Sequence, residues 1–115
     1  MEGRLIPAVE VARACRISYR QLDHWDRIGI ARPHRAASGS GSRRGYRHED
    51  AYRVYLVACL LRAGFSLSAA AAAAERIAAR GELGTARLQA EDGAVVLVVD
   101  TQTLWDRLGR ALHGR

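Results

Sequence analysis

Residues 10–33, EVARACRISYRQLDHWDRIGIARP, hold the end of one short helical pattern and the whole of a second, separated by three residues. That spacing decides how the rest of the chain is read. Ala8, Val11, Ala12 and Cys15 recur at i, i+3, i+4 and i+7, one buried stripe of a first helix. Pro7 suits the first helical position, and Glu10 lies in the opening turn, where a carboxylate meets the positive end of the helix. Arg16-Ile17-Ser18 interrupts the pattern. Ser18 and Gln21 then have the S-x-x-Q spacing of a capping box, which predicts a second helix over residues 19–28. Leu22 and Trp25 point to its packed side, while Arg20, His24 and Arg27 follow one another on the opposite side with Gln21 beside them. Gly29 supplies the stop and Pro33 follows. One face packs and the other presents hydrogen-bond donors.

Beyond this pair, HRAASGSGSRRGYR (residues 34–47) keeps no helical period. It reads as two short strands joined by a Ser-Gly tip, with Arg35 on the ascending side and Arg43, Arg44 and Tyr46 on the descending side. A solvated linker is the competing reading, but it leaves Tyr46 and its arginines without a purpose. From Glu49 to Ala63 a helical stretch is apolar on two sides and therefore central. Gly64 ends it, and Ser66 caps a further helix, LSAAAAAAERIAAR, that stops at Gly81. Its six consecutive alanines allow close helix packing. GTARLQAEDGAVVLVVD (residues 84–100) predicts two strands around an Asp92-Gly93 turn, followed by a short helix over 102–112. Trp105 and Leu108 in that helix form an apolar pair that either docks on the hairpin or joins two protomers. The expected fold class is mainly α with a small β content. A winged helix-turn-helix is followed by a helical pair, a C-terminal β-hairpin and a short helix. Residues 1–80 are expected to form a DNA-binding domain, and 81–115 a short extension for oligomerisation or partner contact.

Charge supports a polyanionic partner. The formal net charge is +6, and every basic side chain is arginine. Residues 1–65 contain twelve arginines against six acidic residues, while 66–115 contain six of each, so the excess lies entirely in the first half. The flat donor fork of arginine suits phosphate oxygens and guanine edges, although a GC-rich coding bias also removes lysine. Cys15 and Cys59 have no Cys-x-x-Cys or His-x-x-x-His companions, so no metal and no cofactor is expected. His34, His48 and His113 read as ordinary surface groups. The longest apolar run, Val54 to Leu61, is far shorter than the roughly 20 residues of a membrane span. No signal peptide is recognised, and the expected location is cytoplasmic and nucleoid-associated, with reduced thiols and no membrane contact. No nucleophile-base pair or metal set appears, so catalysis is not expected. Asp23 and Asp26, a carboxylate pair in principle, are read as orienting arginines or the wing.

Helix, three-residue turn, donor-bearing helix and arginine-flanked hairpin follow in the order of a winged helix-turn-helix. An α-helix fits the major groove, which brings Ser18, Tyr19, Arg20, Gln21 and His24 to base edges and adjacent phosphates. Arg20 matches guanine and Gln21 adenine. Arg35, Arg43, Arg44 and Tyr46 of the hairpin are expected to grip phosphates or enter the flanking minor groove. Residues 10–33 resemble the opening of MerR-family regulators, with EVA, a short turn, R-x-L-x-x-aromatic-D-x-x-G and a terminal proline. Residues 39–67, GSGSRRGYRHEDAYRVYLVACLLRAGFSL, are similar to that family's wing, its R-x-Y strand and the helix ending before Gly-Phe-Ser-Leu. Arg44 and Tyr46 fall on the R-x-Y, and Arg20 falls on the recognition-helix arginine. His24 stands where many members have tyrosine, Asp23 where a basic residue is common, and Arg47 where a polar cap is usual, so base preference is not transferable. The residues after Gly81 resemble the tails of short, effector-free members and are too few to enclose a sizeable ligand pocket.

The expected function is therefore that of a sequence-specific double-stranded DNA-binding transcriptional regulator without a small-molecule effector domain. A homodimer on inverted half-sites is expected ahead of monomers on direct repeats. Two alternatives stay open: an excisionase-like or architectural DNA-bending protein, and a winged-helix interaction module. The latter would use Tyr52, Tyr55, Trp105 and the C-terminal hairpin to hold RNA polymerase or another transcription protein.

Overall fold

The computed structural model describes residues 5–34 and 44–113. Among these residues it is mainly helical with two small antiparallel sheets. The elements are β1 (Ile6–Pro7), α1 (Ala8–Cys15), α2 (Tyr19–Arg27), β2 (Gly45–Tyr46), α3 (His48–Arg62), α4 (Leu67–Arg80), β3 (Thr85–Ala90), β4 (Val95–Asp100) and α5 (Thr101–His113).

The expected stripe of α1 is buried at Ala8, Val11, Ala12 and Cys15, with Ala14 joining it. Pro7 stands one position earlier than expected, as an extended N-cap at the end of β1. The helix ends at Arg16, which is left-handed with φ 61°. The Arg16 N–H reaches the Arg13 carbonyl at 3.1 Å and the Ile17 N–H reaches that of Ala12 at 3.0 Å, closing the turn in the manner usually left to glycine. A non-glycine residue here costs roughly 1 kcal/mol. Ser18 then caps α2, its Oγ accepting the Gln21 N–H at 2.9 Å.

Of the hairpin expected over 35–46, only the foot at Arg44 to Tyr46 lies within the described residues. Gly45 and Tyr46 pair with Pro7 and Ile6 of β1, so the N-terminal segment is one partner of the descending strand. Gly45 is required by close approach, because a Cβ there would stand 2.8 Å from Leu5 Cδ1 and 2.9 Å from Leu5 Cβ. Arg35, Arg43 and the Ser-Gly tip lie outside the described residues.

Helix α3 is central, with Ala51, Tyr52, Val54, Tyr55, Leu56, Val57, Ala58 and Leu60 all buried. Arg47 precedes it and has no side-chain acceptor, so the cap comes from Asp50, whose carboxylate accepts the Arg47 N–H at 2.9 Å. At the other end Arg62 donates to the Cys15 carbonyl at 3.1 Å, satisfying an open group at the end of α1. Helix α4 packs along α3 through Ala70, Ala73, Ala74 and Ile77, where alanines let the helices approach closely. Glu75 reaches back to Arg32 at 2.9 Å and Arg53 at 3.4 Å.

The hairpin of β3 and β4 matches the expectation, with Glu91, Asp92 and Gly93 all at positive φ in a turn one residue wider on each side than Asp92-Gly93 alone. Asp100 caps α5, accepting the Thr103 N–H at 2.9 Å and its hydroxyl at 2.7 Å. Helix α5 turns back onto α1 and α3, burying Leu108 completely and stacking Trp105 on His48 (ring centroids 4.3 Å) and Tyr52 (5.0 Å, edge-on). The C-terminal segment thereby shares its core with the first half of the chain.

Candidate nucleic-acid interface

Helix α2 stands on Leu22 and Trp25, both buried, so its remaining positions are turned outward. Ser18, Tyr19, Arg20, Gln21, His24 and Arg27 are all exposed. The residues expected here are thus all exposed, Ser18 as the N-cap and Tyr19, Arg20, Gln21 and His24 on the helix itself. Ser18 has a second task, because its hydroxyl is engaged in the cap.

Arg44 and Tyr46 occupy different places from the arginines of α2. The Arg44 side chain is only 4% exposed, and its Nη1 lies 3.2 Å from Asp26 Oδ2 and 3.6 Å from Asp23 Oδ1. Its guanidinium also sits over the Tyr19 ring, 5.2 Å from the centroid. Burial opposes the charge, but the Tyr19 hydroxyl and the Asp26 carboxylate outweigh it, and the group is held more firmly protonated than an ordinary arginine. Asp23 is shared further, with Arg27 at 3.4 Å on the next turn. The two carboxylates of α2 therefore orient an arginine from the hairpin's descending side, as their spacing suggested. Tyr46 is fully buried, and burial pushes its hydroxyl up to about 12. Neither side chain offers a free donor at the surface: they join β2 to α2.

Two exposed arginines were not singled out from the sequence. Arg13 lies off the buried stripe of α1, and Arg16 sits in the turn that leads into α2. The signal for Arg13 was its position opposite Val11 and Cys15. For Arg16 no pattern indicated a left-handed residue.

Of the features named for a protein-interaction surface, two tyrosines are buried, Trp105 is half-buried and the C-terminal hairpin keeps exposed valines. Tyr52 and Tyr55 are buried, and Trp105 lies against His48 and Tyr52. Cys15 is a core residue whose thiol burial pushes up to about 12, and it and Cys59 are free. Among the described residues no group of three or more His, Cys, Asp or Glu side chains could hold a metal ion, and no helix is long and apolar enough to cross a membrane.

The family described as MerR HTH family regulatory protein matches residues 7–77. An uncharacterized HTH-type transcriptional regulator of Mycobacterium bovis is 41% identical over 66 residues, which cover 56% of this chain and 29% of that protein. Uncharacterized HTH-type transcriptional regulators from two strains of Mycobacterium tuberculosis match to the same extent. The chain thus spans less than a third of the length of these curated relatives.

Proposed function

Because the chain belongs to the MerR family of helix-turn-helix regulatory proteins, we propose that it binds double-stranded DNA sequence-specifically and regulates transcription, with α2 in the major groove and residues 35–46 as the wing. The observation that carries this reading is the exposure of Tyr19, Arg20, Gln21 and His24 on a helix anchored to the core by Leu22 and Trp25. Arg20 supplies a bidentate fork for guanine and Gln21 an amide for adenine. Arg13 and Arg16 contact the phosphates beside the groove, and Arg35 and Arg43 those under the wing. Arg44 and Tyr46 act from within: the guanidinium held by Asp23 and Asp26 fixes the angle between α2 and the base of the wing. Residues 1–80 supply the DNA-binding surface, and 81–115 buttress it through α5.

The division of labour is tested by paired substitutions measured on a selected site and on random duplex. Arg20→Ala should cost about 1–3 kcal/mol on the selected site and relax its sequence preference. Arg43→Ala should weaken binding to both duplexes alike and reduce the slope of log affinity against log salt by about one. Equal losses for both variants on both duplexes refute the assignment.

A further inference from the structure

The hairpin of β3 and β4 leaves one long edge open. Among the described residues its sheet has only these two strands, and two strands alone are marginally stable in water. The β3 side is covered by α5, and the Arg80 guanidinium reaches the Arg87 carbonyl at 3.5 Å. Among the described residues no further strand pairs with the β4 side. From Ala94 through Val99 it has no charge, no proline and no bulge, the devices that normally protect an edge. Val95, Val96 and Val98 are 55%, 41% and 56% exposed, far more than valines in a finished sheet.

The ladder shows which groups face outward. Thr101 N–H bonds the Gly84 carbonyl at 3.0 Å, so Ala86–Val99, Leu88–Leu97 and Ala90–Val95 are the hydrogen-bonded pairs. The N–H and C=O groups of Val96 and Val98 consequently point to the open edge. Val96 and Val98 share one face of the sheet, and Val95, Leu97 and Val99 share the other.

We infer that β4 pairs antiparallel with β4 of a second copy of this chain, about a two-fold axis at Leu97, giving a four-stranded sheet β3-β4-β4-β3. In this register Val96 exchanges both backbone hydrogen bonds with Val98 of the second copy, and the reverse, while Leu97 meets itself as a non-hydrogen-bonded pair. Every cross-strand neighbour from Val95 to Val99 is then apolar on both faces, and no like charges are opposed. The occupant is a second copy because the strand is self-complementary and because residues 66–115 carry six arginines and six acidic residues. Two chains of net charge +6 can meet there without bringing their basic halves together. Strand pairing of this extent belongs with the smaller interfaces, below about 1,200 Å², so self-association should be micromolar. The use of such a dimer on inverted half-sites rests on the DNA-binding reading above; the interface itself does not.

Sedimentation from low to high micromolar protein without DNA tests the interface. The wild type should move from monomer to dimer, Val96→Lys/Val98→Lys should stay monomeric, and Val96→Glu/Val98→Lys should dimerise again, because opposite charges then face each other across the axis. Val96 and Val98 are exposed and Leu97 is half-buried, and circular dichroism checks the fold of each variant. Leu97→Cys gives an independent readout: the axial pair spans about 4.5 Å between Cα atoms, within disulfide reach, so mild oxidation should give a covalent dimer that Leu97→Ser does not. A wild type that stays monomeric, a double-lysine variant that dimerises like it, or a Leu97→Cys variant that does not cross-link each overturns the proposal. On a duplex with two selected half-sites the double-lysine variant should bind about 100-fold more weakly, with single-site affinity unchanged. A chain that dimerises as described but binds no duplex refutes the DNA-binding reading and leaves the interface standing.

Discussion

Arg44 shows how much a single side chain can organise. Its charge is buried and met by two carboxylates that are themselves partly in water, so its removal leaves Asp23 and Asp26 repelling each other on one helix. Arg44→Ala should lower stability by about 2–3 kcal/mol, seen as an earlier urea midpoint, and Arg44→Lys should recover little, because a point charge cannot bridge both oxygens and stack on Tyr19. An unchanged midpoint in Arg44→Ala would remove the clamp from the argument. The burial of this residue was not legible beforehand. An arginine next to a Ser-Gly run reads as solvated, and only the spacing of Asp23 and Asp26 hinted at an internal partner. His48 was likewise read as a surface group but lies under Trp105, where burial first and the nearby His113 second hold it below its ordinary value of 6.5. Its folded value lies below the unfolded one, so the unfolded chain takes up the proton first as the solution is acidified. Stability from this site is therefore complete above about pH 6.5 and falls below it, with a slope of at most about 1.4 kcal/mol per pH unit. Thermal melts of the wild type should show this decline, and those of His48→Gln should show less of it.

At the scale of elements, helices were the most legible part of the chain because their signals are local. The stripe in α1, the Ser18 and Ser66 caps, the glycine stops and the two-sided apolar pattern of α3 each depend on residues within a turn or two of each other. Ser18→Ala removes the acceptor for the Gln21 N–H at the head of α2 and should destabilise the fold by about 1 kcal/mol, measurable by chemical denaturation. Ser18→Asp should retain most of that stability, since a carboxylate also caps and favours the positive helix end. The strand β1 escaped notice for the opposite reason. Two residues have no measurable period, and their partners lie some 40 positions later, so nothing within Leu5 to Pro7 announces a ladder. In the C-terminal third the Asp92-Gly93 turn signal and the valine-rich run after it, both local, were strong enough to give both strands and their pairing.

At the scale of the whole molecule, the last helix is a buttress. Leu108 is completely buried between α5 and the first half of the chain, so Leu108→Ala should cost about 3 kcal/mol in a single unfolding transition. Two separated transitions would mean that residues 81–115 fold independently. Sequence alone left the destination of this helix undecided because an i, i+3 apolar pair states that a helix packs, not where. The short ladder between Ile6–Pro7 and Gly45–Tyr46 has a further consequence for motion. Two residue pairs close a long stretch of chain that contains α1 and α2, so this clasp gains few backbone hydrogen bonds for the loop entropy it restrains and depends on the seat of the buried Tyr46. It is a natural place for sub-global opening, in which the leading segment and the foot of the wing come loose together while α3 and α4 hold. Backbone amides at positions far apart in sequence would then exchange with solvent at one common rate, and anything that seats the wing on a ligand would slow the exchange of the chain's first strand.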